Sequence, residues 1–163
     1  MSSVGAMRWS DKPSGKGRRI GIVAATWHDD VVQKLIEGCH STLIELGVHE
    51  KDIVIVRCPG TFEIPLTASI MAISTDYHAV ITLGVVIRGE TAHFEFIAGS
   101  AVQALQTIAV DTGVPVVFGV LTVDTKEQAL ERTGGVHGHK GAEAAETALR
   151  MAAIVDALTA TSD

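Results

Sequence analysis

The segment LGVVIRGETAHFEF, residues 83–96, places flexible and titratable residues directly behind an apolar run. Gly89 permits a sharp turn, and Thr91 has the position of an N-cap for the helical stretch that follows. Free backbone N–H groups at a helix start attract anions, and the imidazole of His93 suits proton transfer near neutral pH. The spacing fits an anion site with a proton-transfer group and an ordinary capped helix start equally well.

Two further segments bring an aromatic ring or a carboxylate to the end of an apolar run. In PGTFEIP, residues 59–65, Glu63 follows a break in the chain, where it could bind hydroxyl groups of a polyol or cap a helix. Phe62 beside it is a candidate for ligand contact or for the core. Trp27, after the first apolar run, could stack on a flat heteroaromatic ring or pack against the protein.

The glycine-rich segment GGVHGHKG, residues 134–141, is not a Walker A loop. That loop needs a Gly-Lys pair followed by Ser or Thr after a strand, an order that is missing here. His137 and His139 have no carboxylate or cysteine partner at metal-ligand spacing, so no metal site is expected. Arg132 and Lys140 flank the segment, where two cations could meet a phosphate; a solvated, flexible turn is the alternative.

The composition indicates one domain preceded by a charged arm. The chain has 163 residues, 47% of them apolar, and a formal charge of −6. Residues 1–19 hold five of the 13 Lys and Arg residues but one of the 19 acidic residues. We therefore predict a flexible basic arm over residues 1–18 and a single acidic domain over residues 19–160. The acidic domain argues against nucleic acid as the main partner.

Apolar runs and cysteines indicate a protein of the reducing cytoplasm. The longest apolar run, residues 79–87, is too short to span a bilayer, so no membrane partner is expected. The N-terminal residues lack the apolar core of a signal peptide. Cys39 and Cys58 are the only cysteines, and their spacing indicates neither a disulfide nor a zinc framework. For Cys58 a buried, inert thiol is favoured, with a reactive thiol as the alternative.

Apolar periodicity predicts strands that alternate with helices. We expect strands over residues 19–25, 53–58, 79–87 and 116–122, and helices over residues 29–46, 63–74, 92–111 and 141–158. Asp124 and Glu127 have capping-box spacing ahead of a further short helix. This order predicts an α/β fold, a flavodoxin-like three-layer sandwich whose four-stranded parallel sheet is flanked by helices on both faces. Ligands of such folds bind outside the carboxyl ends of the strands.

The loops together resemble those of one enzyme family. In chain order, ATWH, PGTFEIP, GVVIRGETAHFEF, VVFGVLT, EQALERTGG and HKGAEAA are similar to the motifs of lumazine synthases, from about Arg18 to Val155. The resemblance implies a cytoplasmic transferase of riboflavin biosynthesis with small-molecule substrates and no cofactor. Its reaction would condense 5-amino-6-(D-ribitylamino)uracil with 3,4-dihydroxy-2-butanone 4-phosphate, releasing phosphate and water and yielding 6,7-dimethyl-8-ribityllumazine.

The resemblance also implies roles for individual residues. Trp27 matches the aromatic position that stacks on the pyrimidine ring, and His93 matches the catalytic histidine. Further contacts to the ring and the ribityl chain are implied for Thr61, Phe62, Glu63, Val85, Val86, Ile87 and, from a neighbouring subunit, Phe118.

Phosphate binding is implied for a second set of residues. Glu90 and Thr91 match the helix start that holds the phosphate, and Arg132 matches an arginine that a neighbouring subunit supplies. Because a carboxylate beside phosphate is unfavourable, Glu90 is expected to offer its backbone and turn its side chain away. Supporting positions near the site match Gly89, Lys140 and Glu143.

A site shared between subunits implies self-association. Members of the family form pentamers or larger assemblies of pentamers, and riboflavin synthase is a further candidate partner. The segment between Arg132 and Lys140 resembles the shorter form found in shell-forming members. His28 stands where many members have Asn, and His137 and His139 could make assembly respond to pH.

Two alternatives remain at this point. A flavin-binding module of similar fold would hold a phosphate after the first strand, but Asp29 and Asp30 at that helix start disfavour an anion. A non-catalytic assembly scaffold would keep the fold without the activity, yet the residues matched to catalysis and phosphate binding are all present.

Overall fold

The computed structural model describes residues 11–74 and 76–160. The strands are β1 (Ile20–Ala25), β2 (Ile53–Cys58), β3 (Ala79–Ile87), β4 (Val116–Val123), β5 (Thr133–Gly135) and β6 (Gly138–His139). The helices are α1 (Asp29–Glu45), α2 (Ile64–Ile73), α3 (His93–Thr112), α4 (Lys126–Leu130) and α5 (Lys140–Thr159), with single 3-10 turns at Glu50–Asp52 and Thr61–Glu63. None of the described helices combines the length and hydropathy that crossing a membrane requires.

The four long strands form one parallel sheet in the order β2-β1-β3-β4. Ile22 of β1 lies between Ile55 of β2 and Ile81 of β3, and Leu83 of β3 lies beside Gly119 of β4. The predicted four-stranded parallel sheet is therefore confirmed. Since the chain runs outward to β2 and then back to β3, the strand order reverses between β1 and β3, which is where open α/β sheets bind ligands.

Helices cover both faces of this sheet, as predicted. Ile20 and Ile22 of β1 pack in the core formed with α1 and α5, whereas Val23 and Ala25 pack in the core formed with α2 and α3. This alternation follows from the two-residue period of a strand, and it makes β1 a central strand buried on both sides. Each Leu or Ile side chain that is fully buried here stabilises the fold by roughly 1.5–3 kcal/mol.

The start of α5 lies unusually close to α1. A Cβ atom at Gly141 would lie 2.2 Å from the carbonyl oxygen of Leu35, so only glycine permits this approach. The contact fixes the first turn of α5, which carries Lys140 and Glu143, against the body of the domain.

The glycine-rich segment is not the open, flexible turn that the sequence suggested. β5 and β6 pair as a short antiparallel ribbon, with Thr133 opposite His139 and Gly135 opposite Gly138. The N–H of Lys140 also donates to the carbonyl of Arg132 at 2.8 Å, which closes the base of the ribbon. Backbone hydrogen bonds therefore order a segment that has almost no side-chain signal.

Two predicted helix caps are wrong. Thr125, not Asp124, caps α4, because its hydroxyl accepts the N–H of Gln128 at 3.2 Å and the Gln128 side chain accepts the N–H of Thr125. Helix α3 begins one residue later than predicted and has Ala92 as its N-cap. Thr91 instead makes a local turn, in which its hydroxyl accepts a backbone N–H at 3.4 Å.

The last residues of the predicted arm contact the domain. The N–H of Gly15 donates to the carbonyl of Leu46 at 2.7 Å, and Arg18 forms an ion pair with Asp156 of α5. The rest of the predicted arm, residues 1–10, lies outside the described residues.

Both thiols are buried. Burial raises the pKa of Cys39 to about 12. Burial, with a smaller effect of the Glu63 carboxylate, also raises the pKa of Cys58. Because the thiolate is the reactive form, these environments favour the inert interpretation of Cys58 over the reactive one.

Candidate active site

A crevice of about 150 Å³ lies outside the carboxyl ends of β1 and β3, where the strand order reverses. It is lined by the ends of these strands, the 3-10 turn before α2 and the first turn of α3. The lining residues are Ala25, Trp27, His28, Thr61, Phe62, Val85, Val86, Ile87, His93 and Ile97. Seven of the predicted site residues, from four separate segments, therefore share one pocket.

Trp27 presents a mostly exposed ring in this crevice. Its backbone N–H donates to the carbonyl of Pro59 at 3.0 Å, which fixes the chain after β1 against the loop after β2. A Cβ atom at Gly60 would lie 2.6 Å from Cε3 of the indole, so the ring rests directly on the glycine backbone. With 64% of the residue still exposed, the ring is placed to stack on a flat ligand.

His28 occupies a strained backbone position beside Trp27. Its φ of 60° and ψ of 45° are left-handed, and no other non-glycine residue in the described ranges has a positive φ. The carbonyl of His28 accepts the N–H groups of Val31 and Val32, both at 3.0 Å, and so begins α1. Such a conformation costs about 1–3 kcal/mol and tends to occur at functional sites. The sequence marks His28 only as a departure from the family pattern.

The turn before α2 places three consecutive residues in different environments. Thr61 is buried, whereas Phe62 is 64% exposed, so the core alternative for Phe62 is wrong. Glu63 does not line the crevice; its Oε2 accepts the N–H of Gly60 at 3.1 Å. In the single chain Glu63 thus closes its own turn, which is the capping alternative.

The loop between β3 and α3 is exposed at Gly89, Glu90 and Thr91. Throughout the described chain, no carbonyl accepts the backbone N–H groups of these three residues. The Glu90 side chain likewise has no hydrogen bond or ion pair with any described residue, so no contact directs it towards or away from a ligand. Unpaired amides and the exposed His93 therefore meet at the rim of the crevice.

Arg88, which the sequence did not single out, lies directly before this loop. Its Nε donates to Oδ1 of Asp124 at 2.9 Å, a terminal nitrogen donates to Glu95, and the guanidinium lies 4.4 Å from the ring centre of Phe94. The hydrogen bonds to Glu95 and then to Asp124 raise the pKa of Arg88, and the first of them lowers the pKa of Glu95. The charge of Arg88 is thus neutralised by two carboxylates of this chain.

A second cavity, which we call the groove, runs along β4 with a volume of about 930 Å³. In the described sheet β4 pairs only with β3, so its other edge is open. The end of α3 and one side of α5 form the walls. The groove contains the remaining side chains predicted for the site, apart from Glu63 and the loop residues: Phe118, Arg132, Lys140 and Glu143.

The charged groups of the groove are held by local contacts. Arg132 donates to the carbonyl of Gln128 at 2.8 Å and lies 4.0 Å from Glu131. Lys140 pairs with Glu143 at 2.7 Å, one turn along α5. By contrast, the lining of the crevice contains neither Lys nor Arg.

The chain matches known proteins over most of its length. The family model of 6,7-dimethyl-8-ribityllumazine synthase matches residues 17–156. The chain belongs to the lumazine synthase family. A 6,7-dimethyl-8-ribityllumazine synthase of Porphyromonas gingivalis is 45% identical over 142 residues, which cover 87% of this chain and 88% of the relative. One of Chlorobium phaeobacteroides is 46% identical over 138 residues, covering 85% and 89%.

Membership of the lumazine synthase family confirms the predicted enzyme class, a transferase of riboflavin biosynthesis. The family also implies small-molecule substrates and self-association. Among the described residues, no group of three or more His, Cys, Asp and Glu side chains could hold a metal ion. The crevice itself offers an aromatic platform, strand-end backbone groups and the imidazole of His93.

Proposed function

We propose that the chain condenses 5-amino-6-(D-ribitylamino)uracil with 3,4-dihydroxy-2-butanone 4-phosphate to form 6,7-dimethyl-8-ribityllumazine. The observation that carries this proposal is the crevice at the β1–β3 switch point, where Trp27, the end of β3 and His93 line one pocket. The indole would stack on the pyrimidine, and the backbone of residues 85–87 would bind the polar edge of the ring. Thr61 and Phe62 would hold the ring and the ribityl chain, with Glu63 beside them.

The reaction needs proton transfers and the departure of a stable anion. An amino group of the pyrimidine attacks the ketone to give an imine, phosphate leaves from the adjacent carbon, and the second amine closes the ring. His93 would move protons in these steps, while the pocket aligns two substrates and so supplies much of the rate. No step requires a redox or metal cofactor.

The phosphate would bind where two chains meet. In one chain, the unpaired amides of Gly89, Glu90 and Thr91 would hold it, with the Glu90 side chain directed away. The lining of the crevice has no cation, whereas the groove carries Arg132 and Lys140. A neighbouring chain would therefore supply Arg132, with Phe118 on the ring and Lys140 and Glu143 in support.

Exposed apolar surface supports this sharing between copies. An apolar stripe, each residue of which is 64–70% exposed, consists of Leu66, Ile70 and Ile73 of α2 and Phe62 of the turn before it. The groove also leaves the outer edge of β4 open. The stripe and the groove are different surfaces, so pairing between them would be heterologous, and it would generate a ring where the rotation between copies closes. A pentamer, as the family suggests, is the proposed ring; pentamers could assemble further.

Two finer proposals rest on the resemblance. The chain would work in the cytoplasm, which agrees with its two buried free thiols. It would also associate with riboflavin synthase, the further partner that the resemblance suggests. Co-sedimentation of the two purified proteins tests this partnership, and separate migration at micromolar concentrations would contradict it.

The flavin-binding alternative has less support at the start of α1. Asp29 lies 2.5 Å from Arg57, and Asp30 lies 2.5 Å from Lys126, so the cations there are already paired with acids. A purified protein that is yellow and changes colour on reduction would nevertheless favour a flavin module.

Product formation tests the proposed function directly. We expect lumazine fluorescence and phosphate release when the protein is mixed with both substrates; no product above the uncatalysed background would refute the activity and favour a non-catalytic scaffold.

His93→Ala should slow turnover by roughly 10²–10⁴-fold, the usual range for a general acid–base group. The His93→Ala variant should assemble as the wild type does, as measured by sedimentation velocity. An unaltered rate would remove His93 from the mechanism.

A further inference from the structure

The segment that joins β3 to His93 makes few contacts with the rest of the described chain between its two ends. Residues 89–91 are exposed, and their backbone N–H groups pair with no carbonyl in the described chain. The Glu90 side chain contacts no described polar group, and the one local bond is the 3.4 Å contact of Thr91 with the His93 N–H. The position of His93 relative to the end of β3 must therefore be set outside this loop.

Arg88 connects the three elements that surround the loop. Its backbone N–H donates to the carbonyl of Val123 at 2.8 Å and so continues the pairing of β3 with β4. Its side chain reaches Asp124 after β4 and Glu95 in the first turn of α3, and lies over Phe94 of the same turn. Only a forked, planar cation can bond two carboxylates in different directions while stacking on a ring.

Arg88 also differs from the cations expected to meet phosphate. Two carboxylates, those of Glu95 and Asp124, already balance its charge through its Nε and one terminal nitrogen. In the described chain, each cation of the groove lies beside one carboxylate. Phe94 is partly buried, whereas Glu95 and Asp124 are exposed, so the cluster is a clamp on the rim rather than part of the core. Exposed ion pairs add little to global stability, which makes a purely structural role for the clamp a weak explanation.

We propose that Arg88, held by Glu95 and Asp124, is the positioning residue that sets His93 and the phosphate loop against the end of β3. This inference deepens the proposed function and rests on it. Arg88 itself does not touch the reacting atoms; it acts through the placement of the first turn of α3. Displacements of about 1 Å can cost as much as 10²-fold in rate, so losing the clamp should lower turnover without unfolding the protein.

The test compares kcat, the KM for the phosphate substrate and the assembled state. Arg88→Gln should lower kcat about 10-fold and raise that KM, while circular dichroism and assembly remain those of the wild type. Arg88→Lys keeps the charge but loses the fork and should recover only part of kcat. Arg19→Gln, which removes another exposed arginine that pairs with a carboxylate and lies over an aromatic ring, is the matched control and should leave kcat unchanged.

A double-mutant cycle separates positioning of His93 from a general defect. If Arg88 acts through His93, Arg88→Gln should lower kcat little further when His93 is already Ala. The same factor in both backgrounds, or an unchanged kcat in Arg88→Gln, would overturn the inference. Should Arg88→Gln fold poorly, Glu95→Gln and Asp124→Asn take its place and must each lower kcat. An inactive wild type would instead refute the proposed function.

Discussion

The crevice and the groove differ in size, chemistry and completeness. The crevice, about 150 Å³, is built from strand ends, the rings of Trp27 and Phe62 and two imidazoles, and its lining holds no Lys or Arg. The groove, about 930 Å³, follows an open sheet edge and contains Arg132 and Lys140. Each has what the other lacks for a phosphorylated substrate. The difference indicates that one chain carries two half-sites, and that the complete site forms between copies.

Mixing two impaired variants tests most directly whether the crevice of one copy and the groove of another form one active site. His93→Ala damages only the crevice and Arg132→Ala only the groove, so each assembly alone should retain at most about a tenth of the wild-type rate at limiting phosphate substrate. After joint unfolding and reassembly, random mixing pairs an intact crevice with an intact groove in about a quarter of the sites. We expect lumazine production to return to about that fraction of the wild-type rate. No recovery, in mixed assemblies verified by mass spectrometry, would place both residues in one chain's site.

Removal of the groove cation should have the next largest effect. Arg132→Ala should lower kcat/KM for the phosphate substrate by roughly 10–10²-fold, because a charge-assisted contact to phosphate is lost. The KM for the pyrimidine should change little, since Trp27 is untouched. Equal losses for both substrates would mean that Arg132 supports the fold of the groove and does not bind phosphate.

The aromatic platform of the crevice can be displaced without altering it chemically. In Gly60→Ala the new Cβ would meet the indole of Trp27 at 2.6 Å, so the ring must shift. We expect the KM for the pyrimidine to rise about 10-fold, because stacking of a base on an aromatic side chain contributes roughly 1–3 kcal/mol to binding. Gly99→Ala, which adds a Cβ in open space on α3, is the control and should behave as the wild type. If the two variants have the same KM for the pyrimidine, Trp27 does not stack on it.

His28 distinguishes backbone strain from side-chain function within the crevice. His28→Gly should raise the free energy of unfolding by about 1 kcal/mol, because glycine adopts the left-handed conformation without strain. His28→Asn keeps a residue that tolerates this conformation but removes the titratable ring. Denaturant unfolding checks the first effect, and an unchanged or lower stability would contradict it. A pH–rate profile shared by His28→Asn and the wild type would exclude the imidazole from proton transfer.

The pH response predicted for the ribbon beside the groove should be the smallest effect. Nδ1 of His139 accepts the N–H of Ala142 at 3.4 Å, which only an unprotonated nitrogen can do, and His137 lies 3.8 Å from Glu131. Protonating His139 would remove a cap from α5 and place a positive charge at a helix start. We expect weaker assembly in acid than in neutral buffer by sedimentation velocity; stronger or unchanged assembly in acid would contradict this prediction.

Local patterns in the sequence determined the sheet, the order of its elements and the segments that form the crevice. Apolar runs and helical periods are short-range signals, so the predicted bounds of β2 and β3 coincide with those observed. The resemblance rests on motifs of the same local kind. The ribbon β5–β6 escaped prediction because backbone pairing between glycine-rich strands leaves no apolar period.

Only the tertiary structure decided how these segments meet. The packing of Trp27 on Gly60, the strain at His28 and the clamp of Arg88 between Asp124 and Glu95 join residues through space or through backbone angles. Neither a period nor a spacing along the chain encodes them. The division of the predicted residues between crevice and groove also depends on the tertiary structure. The crevice residues lie at the carboxyl ends of β1 and β3, whereas the groove residues lie along the open edge of β4. Most of the proposed site residues could thus be predicted from the sequence, but only the fold determines which of them share a cavity.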